Sequence, residues 1–176
     1  MTESNNHINR FIRILGVFCL GVAGCLTIFN IVCSINDLQS MLNQILCLVS
    51  LGYAFIYLYK GFGKDSAKYY KNLGILLLAS HSMIIPLCLA RDTTIVFVLN
   101  FVVLLVLFVL VIGENLGKII SLSLCALLVI CEIIALFFTD DGIIPLLGTI
   151  TKIATFFMYG VFTYAKYRDK AMRKSN

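Results

Sequence analysis

Apolar residues run along this chain in blocks of about 20, the length a helix needs to cross the hydrocarbon of a bilayer. Six blocks are legible, over residues 11–33, 41–59, 72–90, 94–113, 118–138 and 143–165. The breaks between them are short and carry turn residues or charges: Asn36-Asp37, Gly61-Phe62-Gly63-Lys64-Asp65, Arg91-Asp92, Gly113-Glu114-Asn115 and Asp140-Asp141-Gly142. Short connections make consecutive helices antiparallel neighbours in one bundle. The pattern predicts an all-α, polytopic integral membrane bundle of six transmembrane helices. It fills residues 1–176 as a single transmembrane domain with short tails.

Composition supports that reading. Hydrophobic residues are 60% and charged residues 13% of the 176, and a soluble fold has no interior large enough for that apolar surface. Only two prolines occur, and continuous apolar runs replace the alternation a membrane β-barrel requires. The seven cysteines, Cys19, Cys25, Cys33, Cys47, Cys88, Cys125 and Cys131, sit in apolar runs with no Cys-x-x-Cys pair. They read as small buried hydrophobes, not as a redox or zinc motif. Only Cys33 and Cys88 fall near one membrane face.

Charge gives the orientation. Of the 14 Lys and Arg, twelve lie at one set of helix ends: Arg10, Arg13, Lys60, Lys64, Lys68, Lys71, Lys118, Lys166, Arg168, Lys170, Arg173 and Lys174. Arg91 alone lies at the opposite ends, beside Asp37, Asp92, Asp140 and Asp141, and Lys152 lies inside a span. The positive-inside rule then puts both termini in the cytoplasm of a cell (plasma) membrane protein. The first block, led by Arg10 and Arg13, has signal-peptide features, and Val22-Ala23-Gly24-Cys25 matches a lipoprotein-type cleavage box. Residues 26–33 continue apolar where a mature lipoprotein turns polar, so the block is read as a retained helix. Lys60, Lys64, Lys68 and Lys71 form a basic collar, an ordinary topology anchor or a docking surface for anionic lipid or an acidic protein partner. No nucleic-acid-binding pattern surrounds the basic residues.

The candidate chemistry is a layer of polar residues inside the spans. At 1.5 Å of rise per residue, Asn30, Asn43, Gln44, His81, Asn100, Glu132 and Lys152 all lie roughly 5–14 Å from the outer ends. Polar groups in hydrocarbon are expensive and face the bundle interior or a cavity. Small and polar stripes predict the inward faces: Gly16, Cys19, Ala23, Thr27 and Asn30 in the first helix; Asn43, Cys47, Ser50, Ala54 and Tyr57 in the second; Gly117, Ser121, Cys125 and Glu132 in the fifth; Gly148, Lys152, Thr155 and Tyr159 in the sixth. The fourth helix is Val, Leu and Phe apart from Asn100 and is expected at the lipid-facing edge. Glu132 and Lys152, at similar depth on consecutive helices, are expected to pair, as structural glue or as a site whose partner a ligand replaces. His81, between Ser80 and Ser82 and shortly before Pro86, marks a polar notch, because proline leaves the Ser82 carbonyl without its helical donor.

Three functions compete. The first is small-solute binding or transport, with the seven polar residues as the ligand site. The size and helix count resemble the small six-helix substrate-capture subunits of vitamin uptake systems, a likeness of shape alone. The second is a non-catalytic regulatory, sensory or assembly role. The third is an intramembrane enzyme using His81 with Cys88 or Glu132. The seven-residue spacing of His81 and Cys88 is similar to that in membrane endopeptidases that process quorum-sensing peptides. The likeness covers those two residues only. Leu76-Leu77-Leu78-Ala79 stands where that family has a Gly-rich basic stretch, and a straight helix separates the pair by about 10 Å. Hydrolase, zincin and phosphate-loop motifs are absent, and two histidines, one in the N-terminal tail, exclude a multi-His metal site within one chain. The enzyme reading therefore stands last of the three and stays open, and no cofactor or metal is expected.

Overall fold

The computed structural model describes residues 3–36, 38–60, 66–82, 94–113, 116–138 and 143–174. They form six helices: α1 (Glu3–Cys33), α2 (Leu38–Lys60), α3 (Ser66–Ser82), α4 (Thr94–Ile112), α5 (Lys118–Leu136) and α6 (Ile143–Lys174). No strand occurs among the described residues. Arg10–Cys33, Ser40–Tyr59, Thr94–Ile112, Lys118–Leu136 and Leu146–Arg168 are long and apolar enough to cross a membrane. The described part of α3 has 17 residues, and the rest of the expected third span, 83–90, lies outside the described residues.

Helices overrun the expected spans at their basic ends: α3 begins at Ser66 instead of residue 72. α1 begins at Glu3 instead of residue 11, and α6 continues to Lys174 instead of ending at 165. Thirty-two residues of helix extend about 48 Å, against about 30 Å of hydrocarbon. Apolar patterning marks the membrane boundary, but a helix stops only where its backbone is capped or broken.

The helices close a ring in chain order. α1 packs on α2, α2 on α3, α3 on α4, α4 on α5, α5 on α6, and α6 back on α1. α6 also touches α3 across the centre. Among the described residues α4 packs chiefly on its two chain neighbours, as a lipid-facing edge helix should, and Ile95, Val98, Phe101, Leu105, Phe108 and Ile112 are exposed along it. Large apolar side chains are exposed around the whole bundle, from Phe18 at 70% to Ile119 at 80%, an outer surface made for lipid.

The inward stripes are as expected in α1, α2 and α6, and in α5 from Ser121 onward; Gly117 is exposed at the α5 N-cap. Short polar residues bury cheaply there because they bond their own helix. Thr27 Oγ1 donates to the Ala23 carbonyl at 2.8 Å, Ser50 Oγ to Leu46 at 2.9 Å, and Thr155 Oγ1 to Thr151 at 2.8 Å. Two glycines mark close approach. A Cβ on Gly16 would stand 2.6 Å from Leu58 Cδ1, and one on Gly74 would stand 2.6 Å from the Tyr159 hydroxyl.

The starts of α1, α3 and α5 meet the ends of α2 and α6 at one end of the bundle. There Lys166 Nζ lies 4.4 Å from the centre of the Tyr70 ring and Lys118 Nζ lies 5.0 Å from that of Tyr164. Of the four collar lysines, Lys71 is exposed on α3; Lys64 and the side chains of Lys60 and Lys68 lie outside the described residues. Cys19, Cys25, Cys33, Cys47, Cys125 and Cys131 are free thiols, and Cys88 lies outside the described residues.

Candidate functional site

The antiparallel ring brings the late turns of α1, α3 and α5 to the same level as the early turns of α2, α4 and α6. Each contributes a polar side chain there. Glu132, on the inward stripe of α5, is 2% exposed and stands between two cations-in-waiting from different helices. Its Oε2 is 3.6 Å from Lys152 Nζ of α6, and its Oε1 is 3.9 Å from His81 Nε2 of α3. Both contacts are too long for a hydrogen bond. The Glu132–Lys152 pairing expected from sequence is present, with His81 as a third member.

His81 is 2% exposed; its ring lies 5.8 Å from that of Phe156 and also interacts with Asn100 of α4. Asn100 Nδ2 donates to the Val96 carbonyl at 2.7 Å, which fixes the amide toward its own helix. The notch before Pro86 is only partly in view. Ser80 and Ser82 donate to the carbonyls of Leu77 and Ala79, while Pro86 and Cys88 lie outside the described residues.

Beside the ionisable cluster lies a cavity of about 30 Å³, lined by Asn43, Gln44 and Cys47 of α2, Leu77, Ser80 and His81 of α3, and Gly148, Lys152, Thr155 and Phe156 of α6. That space suits one or two waters, since a single water needs about 10–15 Å³ on this measure. Gly148 opens one wall: a Cβ there would stand 3.8 Å from Asn30 Nδ2 and 3.9 Å from Gln44 Nε2. Asn30 is wholly buried, and neither its amide nitrogen nor its oxygen has a hydrogen-bond partner. Buried orphan amides are rare and costly, so this one calls for a function. In comparisons with known proteins, no family model, no curated protein and no solved structure matches this chain.

All seven residues singled out from sequence therefore fall in one neighbourhood. Asn43, Gln44, His81 and Lys152 line the cavity, Glu132 backs His81 and Lys152, Asn100 touches His81, and Asn30 borders Gly148. Leu77 and Phe156 give the lining its large apolar part, and Cys47, Ser80, Gly148 and Thr155 complete it. Their signals were present as members of the inward stripes or as a neighbour of His81, but a stripe does not say which members enclose space. Among the described residues no cluster of His, Cys, Asp and Glu is built to hold a metal ion.

Proposed function

We propose that this protein binds a small polar solute in the outer half of its bundle and serves as a transport-type membrane subunit. Multiple apolar helices make it a multi-pass membrane protein. The observation that carries the solute reading is the meeting of Glu132, Lys152 and His81, from three helices, beside a polar cavity bordered by an orphan amide. Pure interhelical glue would hold its partners at bonding distance and leave no polar space. The charge rule puts both termini in the cytoplasm, which sets the site in the half of the bundle facing away from it. The chain carries no nucleotide-binding motif, and energy comes from a gradient or a partner. Lys60, Lys64, Lys68 and Lys71 offer a cytoplasmic surface for anionic lipid or an acidic partner.

The test is a thermal-shift panel of small solutes on the purified protein and on a Glu132→Gln/Lys152→Met double variant, which removes both charges together. Stabilisation of the wild type that vanishes in a well-folded double variant supports a site. A second reading, a non-catalytic regulatory or assembly protein, is favoured by the smallness of the cavity. It predicts no solute response in either protein, with unfolding only when one charge of the pair is removed alone.

A further inference from the structure

Resting on the solute-binding reading above, we infer that the solute is a small monovalent anion, received by Lys152 and the amide nitrogen of Gln44, with the Asn30 amide behind the Gly148 wall, and taken up together with one proton on His81. The wall chemistry sets the sign. Lys152 lines the cavity and is 23% accessible, while Glu132 is not among the lining residues and stands behind Lys152 and His81. Two side-chain amides turn their nitrogens toward the Gly148 wall. The hydroxyls of Ser80 and Thr155 already donate to the carbonyls of Leu77 and Thr151. That leaves the two hydroxyls only lone pairs to offer, so the donors a ligand meets at that wall are the Lys152 ammonium and the amide nitrogen of Gln44, and the one full charge on the wall is positive, which suits an anionic oxygen or a halide.

Charge neutrality sets the proton. With Glu132 ionised, Lys152 charged and His81 neutral, the cluster has no net charge. An anion added to it leaves one uncompensated negative charge in a low-dielectric interior, which is strongly disfavoured. One proton from solvent on His81 Nε2 restores neutrality. That nitrogen has no hydrogen-bond partner, and Glu132 Oε1 at 3.9 Å is placed to accept from it. Glu132 would then turn from Lys152 toward His81 and release the ammonium to the anion. No covalent bond changes; one anion and one proton enter together. The groups facing His81 from the surrounding helices, among the described residues, are Cys47 of α2, Asn100 of α4, Glu132 and its neighbour Cys131 of α5, and Lys152 of α6. Of these, Glu132 alone is an acidic acceptor at short range.

The experiment titrates the purified full-length protein with sodium formate, sodium acetate or sodium chloride, holding ionic strength with sodium gluconate, whose anion is too large for the cavity. Binding is read by thermal shift, and proton uptake by a pH indicator in weak buffer. We expect one proton taken up per anion bound, and affinity weakening about tenfold per pH unit above neutrality, the slope of one linked proton. The formate and chloride arms separate a carboxylate site from a halide site. His81→Gln, which cannot take up the proton, should bind the anion far more weakly at every pH, with no proton uptake and a flat pH profile. Asn30→Leu, which leaves the charged cluster intact, should weaken binding severalfold or more, and Thr163→Val, remote from the cavity, should change neither readout. Anion binding without proton uptake, or an unchanged slope in His81→Gln, overturns the coupling. A response to neutral or cationic solutes that Asn30→Leu abolishes, with none to anions, overturns the anion class and keeps the polar site. No solute response sensitive to Asn30→Leu overturns both.

Discussion

Around Tyr70 and Thr163, near the lysine-rich end, buried polar groups are neutral and close-set; around Glu132, toward the other end, they are charged and loosely set. Thr163 Oγ1 approaches the Tyr70 hydroxyl at 3.0 Å, the Tyr159 carbonyl at 2.9 Å and Cys125 Sγ at 3.3 Å. Tyr70 and Tyr159 stack with centroids 4.8 Å apart, Tyr57 leans on Phe162 at 4.5 Å, and the Tyr167 hydroxyl bonds Ser121 and the Leu116 carbonyl. This network ties α3, α5 and α6 together through neutral side chains, although the buried Tyr159 hydroxyl there also lacks a hydrogen-bond partner. In the other half, Glu132 has Lys152 at 3.6 Å and His81 at 3.9 Å, and neither side-chain amide atom of Asn30 has a hydrogen-bond partner. A bundle needing only adhesion would repeat the first arrangement. The second gives up bonding for space and charge, the mark of a place where something else is meant to fit.

The largest effect should come from splitting the charged pair. Lys152→Met leaves the Glu132 carboxylate buried without its ammonium and should cost about 3–5 kcal/mol above neutral pH, the cost shrinking at lower pH as a proton on His81 or Glu132 restores neutrality. Glu132→Gln should cost less, because Lys152 reaches the cavity and its water. The double variant should recover most of the loss, and thermal unfolding in detergent across the four proteins gives the coupling directly. If both single variants are as stable as the parent, the ionised pair is not there and the contrast between the halves fails.

Next comes Gly74→Ala, in the neutral half. The new methyl would stand 2.6 Å from the Tyr159 hydroxyl and 2.9 Å from Val111 Cγ2, between α3, α4 and α6. Tyr159 is fully buried and cannot swing away, so overpacking should cost about 1–3 kcal/mol. Solute binding should be unchanged in the surviving folded protein. A loss of binding with unchanged stability would show that the two halves are mechanically linked.

Thr163→Val should cost about 1 kcal/mol, the net worth of a side-chain bond between helices whose other partners can readjust. It serves as the structural counterpart to a site variant, with a measurable stability change and no change in any solute response.

The halves also differ in how far the sequence alone revealed them. The polar layer was legible because a charged or amide side chain in a 20-residue apolar block is an exception, and its depth follows from counting residues. Glu132 and Lys152 could be paired because they sit at matching depths on consecutive antiparallel helices. His81 could not be assigned to them: it lies on α3, and only the α3–α6 contact across the ring puts it at Glu132. The tyrosine–threonine network was hidden for a different reason. Tyr70, Thr163 and Cys125 are unremarkable members of apolar helices, and their meeting depends on rotations about three axes that no periodicity fixes. The apolar pattern stops short of the start of α1, the start of α3 and the end of α6 because hydropathy records the membrane and not the backbone.

The smallest stability effect should belong to Asn30→Leu, which separates the halves most sharply. Removing Thr163's hydroxyl breaks bonds, but Asn30 has none to lose: both amide atoms are buried and unpartnered. Replacing a polar group already desolvated without compensation by an apolar one of similar size should be neutral or stabilising, within about 1 kcal/mol. A residue kept only for stability would not behave so. The same variant removes a nitrogen 3.8 Å from the Gly148 wall and fills that space with methyl groups, so solute binding should fall while the protein unfolds at the same or a higher temperature. Gain in stability with loss of binding is the signature of a site held open at a thermodynamic cost. A destabilised Asn30→Leu protein would mean that the amide is bonded after all, and that this half, like the other, is glue.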